Sequence, residues 1–584
     1  MIIQKYPFDK SGKEAVEGHP KGSDWPVIYL ISNDKYLYIG ETTSASKRMN
    51  QHLTNKKKQS YEFNSIRIVF DDEYNKSVIL DYEQKLIKCC STDKKYTVVN
   101  ANAGQSETHD YYQRSEYLNK FSFLWQGLRD EGIANKPLDV IENEDIFKYS
   151  PYNSLTAEQN EISVQIINDF CDMLEKDDLC GRISLVNGCA GTGKTVLAIS
   201  IINSLINAQK IDPDDLTEED LSKDKVKALL RLKAYLDSSK GHPLKIGFVF
   251  PMSGIRKTIK RVFKESGNGL KANMVISPYD LKKDEFDILF VDESHRLFCR
   301  KNLGNAFKNF DTTCEVLGLD PHTSSQLDWV FKRGRYNVLF YDKDQSIRSS
   351  DIPHDVYFKK LTEAGKVCNE YSLSTQMRCA GGDTYVHYVK EIINCKQQKF
   401  EDIANYDFTL FDDADTMITK IRTLDREQGL CRTVAGYAWE WKTKMEKSPQ
   451  NNLEAYYSLM HDGKYDISIQ GHNYIWNLTT EDWISREDSP LTIGCIHTTQ
   501  GFDLNYVGVI FGREIDYDPV NNCLTVDLSK YYDKAVKAGC SEETVKNYII
   551  NTYTTFMARG IKGCYVYAYN SNLQKYLERF IRKK

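Results

Sequence analysis

The chain has 584 residues, 41% of them hydrophobic and 27% charged, with a formal net charge of −5 and a pI near 6.2. That length exceeds what one hydrophobic core organises, and a prior of about 100–200 residues per domain gives roughly three or four domains. The composition is that of a soluble globular protein: no apolar run reaches the roughly 20 residues of a membrane-spanning helix, and the mildly acidic balance leaves any nucleic-acid surface to local charge.

The first residues, "MIIQKYPFDKSGKEAVEGHP", contain no apolar stretch of signal-peptide length, and the 15 cysteines follow neither a disulfide nor a zinc spacing. A reducing cytoplasm is the expected setting. Cys89 and Cys90 are adjacent but have no second Cys or His pair nearby, so they are not read as a metal site. Up to residue 105 the pattern is strand, strand, helix, strand, helix. "PVIYLIS" and "YLYIG" are short apolar runs split by "NDK", which signals a hairpin. The basic run "KRMNQHLTNKKK" at 47–58 is compatible with a phosphate-contacting surface or with a solvated helix end. Residues 106–155 read as a helical connector, with helical spacing in "EYLNKFSFLWQGLRDEG" before the breakers of "YSPYNS".

From 156 onward, apolar strands alternate with helices. "RISLVNG", "KIGFVFP", "FDILFVDE" and "YNVLFYDKD" suit strands buried on both faces of a parallel sheet. A second alternation starts at "YSLSTQ" and continues through "LCRTVAGYA", "LTIGCIHTT", "YVGVIFG" and "CYVYAY". The expected organisation is α/β: a small domain at 1–105, the connector at 106–155, and two parallel-sheet domains at 156–365 and 366–584. The polar insertion at 212–242 reads as a solvated surface excursion.

"GCAGTGKT", Gly188 to Thr195, follows a strand and precedes a helical run. Phosphates need many donors and no intruding side chains, which glycines such as Gly188, Gly191 and Gly193 permit at a helix N-terminus. Lys194 would reach the β/γ-phosphates of ATP and Thr195 would bind Mg²⁺. In "FDILFVDESHR", Asp292 can hold the metal and Glu293 can orient or deprotonate the attacking water.

The motifs of residues 155–570 together resemble a superfamily 1 helicase, and "DESHR" with "DKDQ" points toward the Schlafen-type ATPase group of divergent bacterial enzymes. The resemblance implies RecA-like folds for the two parallel-sheet domains. It implies adenine reading by Gln159 in "LTAEQ", γ-phosphate sensing by Gln345 in "YDKDQSIR", and arginine fingers at Arg378 in "STQMRC" and Arg559 in "TYTTFMARGIKG". It also implies strand contacts by Ser253 and Arg256, and a groove-to-nucleotide link through Thr498, Thr499, Gln500 and Gly501.

Residues 25–105 resemble the GIY-YIG nuclease family. The two signature tripeptides stand as "VIY", Val27 to Tyr29, and "YIG", Tyr38 to Gly40, followed by Arg48 and His52. Glu83 falls at the metal-ligand position, with Asn100 and Gly104 in the terminal motif. The resemblance implies that Glu83 holds Mg²⁺ or Mn²⁺, Arg48 neutralises phosphate charge, Tyr29 acts as or orients the general base, and Tyr38 and His52 position water or phosphate. Val27 replaces the first glycine, and eight residues separate Tyr29 from Tyr38, fewer than usual. Neither departure removes a catalytic group.

The expected function is an ATP-dependent nuclease-helicase on DNA, with RNA as the alternative substrate, and defence against foreign DNA is implied by resemblance. No membrane partner is expected, and a protein partner or homo-oligomer is compatible with the sequence. A second reading is a nucleic-acid-remodelling ATPase whose first domain only binds DNA. A third is a nuclease gated by a nucleotide sensor that does not translocate.

Overall fold

The computed structural model describes residues 1–100, 111–176, 181–213, 216, 221–238, 241–345, 350–377, 379–444, 452–478, 483–499, 502–537 and 540–584. The chain divides into two compact units. One comprises Met1–Asp177, Thr195–Pro243 and Ile259–Ala272, the other Asp178–Lys194, Leu244–Thr258 and Asn273–Lys584.

The first unit holds a sheet of five strands, β1 (Ile2–Pro7), β2 (Val27–Ser32), β3 (Tyr36–Thr42), β4 (Ser65–Phe70) and β5 (Thr97–Val98), in the order β1-β4-β2-β3-β5. Its helices include α1 (Lys10–Glu17), α2 (Ala45–Thr54), α3 (Lys56–Gln59) and α4 (Lys76–Asp93). The expected hairpin forms: β2 and β3 are antiparallel, with Tyr29 opposite Gly40 and Ile31 opposite Tyr38. Because side chains alternate along a strand, β2 is buried on both faces. Val27, Tyr29 and Ile31 pack with Ala45 and Met49 of α2, while Ile28 and Leu30 pack with Val78, Ile79 and Leu86 of α4. The sequence reading missed β1 and α1. β1 pairs antiparallel with β4 at the sheet edge, and its half-exposed residues show no clean alternation.

The described part of the connector folds as helices Arg114–Asp130, Leu138–Asn143 and Asp145–Lys148. Phe121, Leu124, Trp125 and Leu128 recur at helical spacing and are buried in the same core as α4. Full burial of each such side chain is worth about 1.5–3 kcal/mol, so this segment completes the core of the first sheet rather than spanning open solvent. The insertion at 212–242, expected as a solvated excursion, is buried in part. Its helix Asp224–Leu236 buries Val226, Ala228, Leu229 and Leu232, and Arg231 pairs with Asp172 and Glu175 of helix Ala157–Glu175.

The second unit contains two six-stranded parallel sheets. The first has β6 (Arg182–Gly188), β7 (Ile246–Val249), β8 (Val275–Ile276), β9 (Phe286–Val291), β10 (Gly334–Tyr341) and β11 (Val367–Leu373), in the order β11-β6-β10-β9-β7-β8. β11 contains the start of "YSLSTQ" and pairs in parallel with β6. The expectation that this strand opens the second sheet is therefore corrected: as a largely exposed edge strand, it lacks the apolar continuity that marks its neighbours.

The second sheet is formed by β12 (Asp407–Leu410), β13 (Cys431–Ala435), β16 (Ile493–Gly494), β17 (Leu504–Phe511), β20 (Gly560–Ala568) and β21 (Arg582–Lys583), in the order β16-β13-β17-β20-β12-β21. Two antiparallel ribbons, β14 (Ile467–Ile469) with β15 (His472–Tyr474) and β18 (Ile515–Asp518) with β19 (Cys523–Val526), complete the strands named here. The run "LTIGCIHTT" sustains only the two-residue β16, because the Thr498 and Thr499 hydroxyls turn back to the Cys495 carbonyl, 2.8 and 3.0 Å away, and start the short helix Ile496–Thr499. Among the described residues, no helix is long and apolar enough to cross a membrane.

Candidate active sites

In the first unit, two periodicities bring four expected residues together. Arg48 and His52 stand four apart on α2 and share a helix face. Tyr29 and Tyr38 share the sheet face that α2 covers, with ring centroids 6.2 Å apart. Gly40 has a steric reason: a Cβ there would lie 2.3 Å from the Tyr29 hydroxyl oxygen.

The Tyr29 oxygen lies 2.7 Å from His52 Nε2 and accepts from Arg48 Nε at 3.2 Å. Lys58, from α3, places its Nζ 2.6 Å from His52 Nδ1 and 3.6 Å from the centroid of the Tyr38 ring. The basic run at 47–58 thus turns Arg48, His52 and Lys58 toward this cluster. Burial, then Tyr38, push the Tyr29 phenol well above its ordinary range, and Arg48 offsets only part of this. Burial, then Lys58 and Arg48, push His52 down to about 2, which keeps the imidazole neutral.

Glu83 lies on α4, beyond the edge of β3. Burial, then Glu41, push its carboxyl up to about 8, against Lys76, Arg48 and the Glu41 backbone N–H. Glu41, missed in the sequence, directly follows "YIG". One of its oxygens accepts from Lys76 Nζ at 2.6 Å, while the other, Oε2, is buried with no hydrogen-bond partner. An orphaned carboxylate oxygen beside a second carboxylate is a condition that a divalent cation relieves. Glu83 and Glu41 are therefore the two groups of this site that fit one. No cluster of three or more metal-ligating side chains occurs among the described residues. Asn100 is architectural here: its amide brackets Ile39, accepting from the backbone N at 3.1 Å and donating to the carbonyl at 2.7 Å. Gly104 lies outside the described residues. Cys89 and Cys90 are both buried free thiols.

The chain runs from β6 through the glycine loop into helix Lys194–Asn207, whose second residue is Thr195. Gly191 and Gly193 have φ of +88° and +76°, a region that non-glycine residues rarely enter. A Cβ on Gly191 would lie 1.9 Å from Gln376 Oε1, and Gln376 Nε2 and Met377 N donate to the Ala190 and Gly191 carbonyls at 2.7 and 2.9 Å. Lys194 Nζ donates to the Gly188 and Cys189 carbonyls at 2.7 and 2.9 Å and lies 3.7 Å from Asp342 Oδ2.

Asp292 and Glu293 follow β9 as expected, with the Asp292 carboxylate accepting from the Glu293 backbone N–H at 3.1 Å. Glu293 is left-handed, φ +49°, a conformation that for a non-glycine residue gathers at functional positions. Its Oε2 lies 2.9 Å from His295 Nε2. Burial pushes Glu293 up, but His295, Lys194 and Arg559 outweigh it and hold the carboxylate ionised. Gln345 donates to Asp342 Oδ2 at 2.5 Å and accepts from Arg559 Nη2 at 3.0 Å. Lys194, Asp342, Gln345 and Arg559 thus form one buried polar chain from the glycine loop to the residue before β20.

The other expected positions are less convergent. Gln159 is fully buried and closes a capping box with Thr156, so its side-chain oxygen takes the Thr156 N–H at 3.1 Å. Ser253 is exposed at the start of helix Ser253–Ser266, whereas Arg256 donates to the Phe250 carbonyl at 2.9 Å. Arg378, Gln500 and Gly501 lie outside the described residues. Sequence reading also missed Asp342, His295 and Gln376, although each lies inside a motif quoted above, "YDKDQ", "DESHR" and "STQMRC".

A glycine phosphate loop, a strand-end acidic pair and an arginine contributed beside a second parallel sheet define a nucleotide hydrolase of the helicase class, here joined to a small nuclease-like sheet. The chain belongs to the family described as Schlafen group 3, DNA/RNA helicase domain, which matches residues 181–570. Residues 26–97 match the GIY-YIG catalytic domain. The protein is thus an enzyme combining an endonuclease domain with a helicase-type ATPase. An uncharacterized protein of Saccharomyces cerevisiae is 25% identical over 484 residues, covering 76% of this chain and 95% of its own. Among solved structures, the Pif1 helicase from Candida albicans is 13% identical with a TM-score of 0.27, covering 73% of this chain and 98% of its own. The Bacteroides Pif1 helicase in complex with ADP-AlF3 and ssDNA is 10% identical with a TM-score of 0.22, covering 70% and 93%.

Proposed function

We propose that this enzyme is an ATP-dependent nuclease-helicase acting on DNA, in which residues 1–105 cleave phosphodiesters with a divalent metal and the region from 156 onward translocates. Defence against foreign DNA in the cytoplasm is proposed from the resemblance. The observation that carries the nuclease reading is the buried Tyr29–His52–Arg48 cluster beside Glu83. Sheet packing alone does not require a tyrosine, an arginine and a neutral histidine joined by hydrogen bonds, whereas phosphate cleavage needs a positioned acid–base group and a cation on the phosphate.

Glu83, with Glu41, would hold Mg²⁺ or Mn²⁺, which when bound supplies Lewis acidity on the scissile phosphate. Arg48 pairs with phosphate oxygens, Tyr29 accepts or directs the proton of the attacking water, and Tyr38 and His52 fix Tyr29. In the ATPase, the glycine loop and Lys194 bind phosphates, Thr195 and Asp292 suit Mg²⁺, Glu293 orients water, and Gln345 with Arg559 reports on the γ-phosphate. Arg378 is proposed as a second finger, Gln159 as the adenine reader, and Ser253, Arg256 and 498–501 as strand contacts. The deciding experiment incubates plasmid and linear DNA with the full chain, Mg²⁺ or Mn²⁺, and ATP. ATP hydrolysis without cleavage in either metal would favour the remodelling ATPase with a binding-only first domain.

Metal binding should depend on pH with a definite sign. A cation must displace the proton that Glu83 retains up to about pH 8, so apparent Mn²⁺ affinity should rise about tenfold per pH unit below that value and then level. Without metal, the raised pKa works in the opposite direction: stability is lost as pH climbs from the ordinary carboxylate range to about 8. Calorimetric Mn²⁺ titrations of the full chain at pH 6.5 and 8.5, with the Glu83→Ala variant subtracted, read this site alone. Glu41→Gln should weaken binding at pH 8.5 by about tenfold; unchanged affinity would remove Glu41 from the metal site.

A further inference from the structure

We infer that Lys58 is a positioning residue of the nuclease site, which fixes the tautomer of His52 so that His52 donates a hydrogen bond to Tyr29 and cannot take its proton. This rests on the nuclease reading above and extends it to a residue outside its motifs.

An ammonium group has three N–H donors and no acceptor. With Lys58 Nζ 2.6 Å from His52 Nδ1, that nitrogen must carry the lone pair. A neutral imidazole then bears its proton on Nε2, 2.7 Å from the Tyr29 oxygen. His52 donates and Tyr29 accepts. Arg48 Nε–H brings a second donor to the same oxygen at 3.2 Å, so the phenolic proton is turned away from both. In the opposite tautomer the phenol would donate to Nε2, and the imidazole would become the proton acceptor. Lys58 selects between these two arrangements.

Its placement is built into the local fold. Asn55 caps α3 and takes the Lys58 backbone N–H on its side-chain oxygen at 3.0 Å, and the ammonium also lies over the Tyr38 ring. A lysine serving only as a solvated phosphate contact has no reason to spend its donor on a buried histidine nitrogen. The charged and titratable groups facing His52 are Tyr29 from β2, Tyr38 from β3, Arg48 from its own helix and Lys58 from α3, while Glu83 from α4 acts on both tyrosines.

The test uses the full chain labelled with ¹⁵N-histidine, with His52 assigned from the signal lost in His52→Gln. Long-range ¹H–¹⁵N correlations should show a protonated Nε2 and a bare Nδ1. Lys58→Met should lose that pattern, and Lys58→Arg, which keeps a donor, should restore it. This readout requires no cleavage, so it fails separately from the nuclease reading. Where DNA is cut, Lys58→Met should lower kcat by about tenfold or more with little change in KM, and should add an acidic limb that lies below the ordinary histidine range, because burial and Arg48 still press His52 down. A wild-type spectrum with the His52 proton on Nδ1 overturns the inference even if neither Lys58 variant folds. So does a Lys58→Met enzyme that loses only DNA affinity and salt dependence.

Discussion

Glu83→Ala is expected to abolish DNA cleavage and to leave ATP hydrolysis at the wild-type rate. Glu83 supplies one of the two carboxylates suited to the cation, and removing a metal's Lewis acidity costs several kcal/mol of transition-state stabilisation. At about 1.4 kcal/mol per decade that is a loss of roughly 10³-fold or more. The groups proposed for ATP hydrolysis, Lys194, Asp292, Glu293 and Arg559, hydrogen-bond or pair among their own neighbours in the second unit. Glu83 belongs to the first unit, so the two activities should separate in one variant. Glu83→Gln, with nearly the same shape, distinguishes lost ligation from lost packing. Cleavage by either variant within tenfold of wild type would sink the assignment of Glu83, and a parallel fall in ATP hydrolysis would show that the two activities are not separable.

The sequence made legible those parts of the site that depend on local periodicity. Strand alternation places Tyr29 and Tyr38 on one face, a four-residue helical step aligns Arg48 with His52, and the glycine loop is contiguous between its strand and helix. Lys58 was not legible because "NKKK" looks like solvated charge, and only the cap at Asn55 turns its third lysine inward. Glu41 was hidden for a related reason. Its significance arises from α4, which brings Glu83 to the β3 edge from more than forty residues away. The same holds for β11, which leaves helix His354–Glu363 and joins the first sheet through non-local pairing with β6. Gln376, immediately beyond that strand, is thereby brought against the glycine loop.

Hydrolysis can drive motion only if a catalytic group is supplied by an element that moves relative to the nucleotide. If the region translocates as proposed, the polar chain would be such a route. Asp342 lies 3.7 Å from Lys194 and 2.5 Å from the Gln345 amide, and Gln345 in turn holds Arg559. A phosphate drawing Lys194 from the Gly188 and Cys189 carbonyls changes the charge that Asp342 faces, and the change passes through one hydrogen-bonded amide to the arginine before β20. Buried chains of this kind polarise one another, so their members act as a unit rather than as a sum.

Arg559→Ala should therefore lower kcat for ATP by about 10³–10⁵-fold, the range found when an arginine finger is removed, while nucleotide affinity changes little. Arg559 is 2% exposed, and its charge helps to keep Glu293 ionised. Truncation would thus remove the cation proposed to stabilise phosphate and weaken the hold on the carboxylate proposed to orient water. Arg559→Lys retains the charge but not the planar fork that holds Gln345 and a phosphate oxygen together, so it should recover only part of the rate. Stopped-flow binding of a fluorescent ATP analogue, read beside steady-state hydrolysis, separates the two effects. A kcat within tenfold of wild type for Arg559→Ala would make this arginine a structural partner of Gln345 and would remove the coupling between the sheets from the mechanism. A large loss with intact binding would instead place the rate-limiting charge on the segment that must close over ATP, which is what a motor requires.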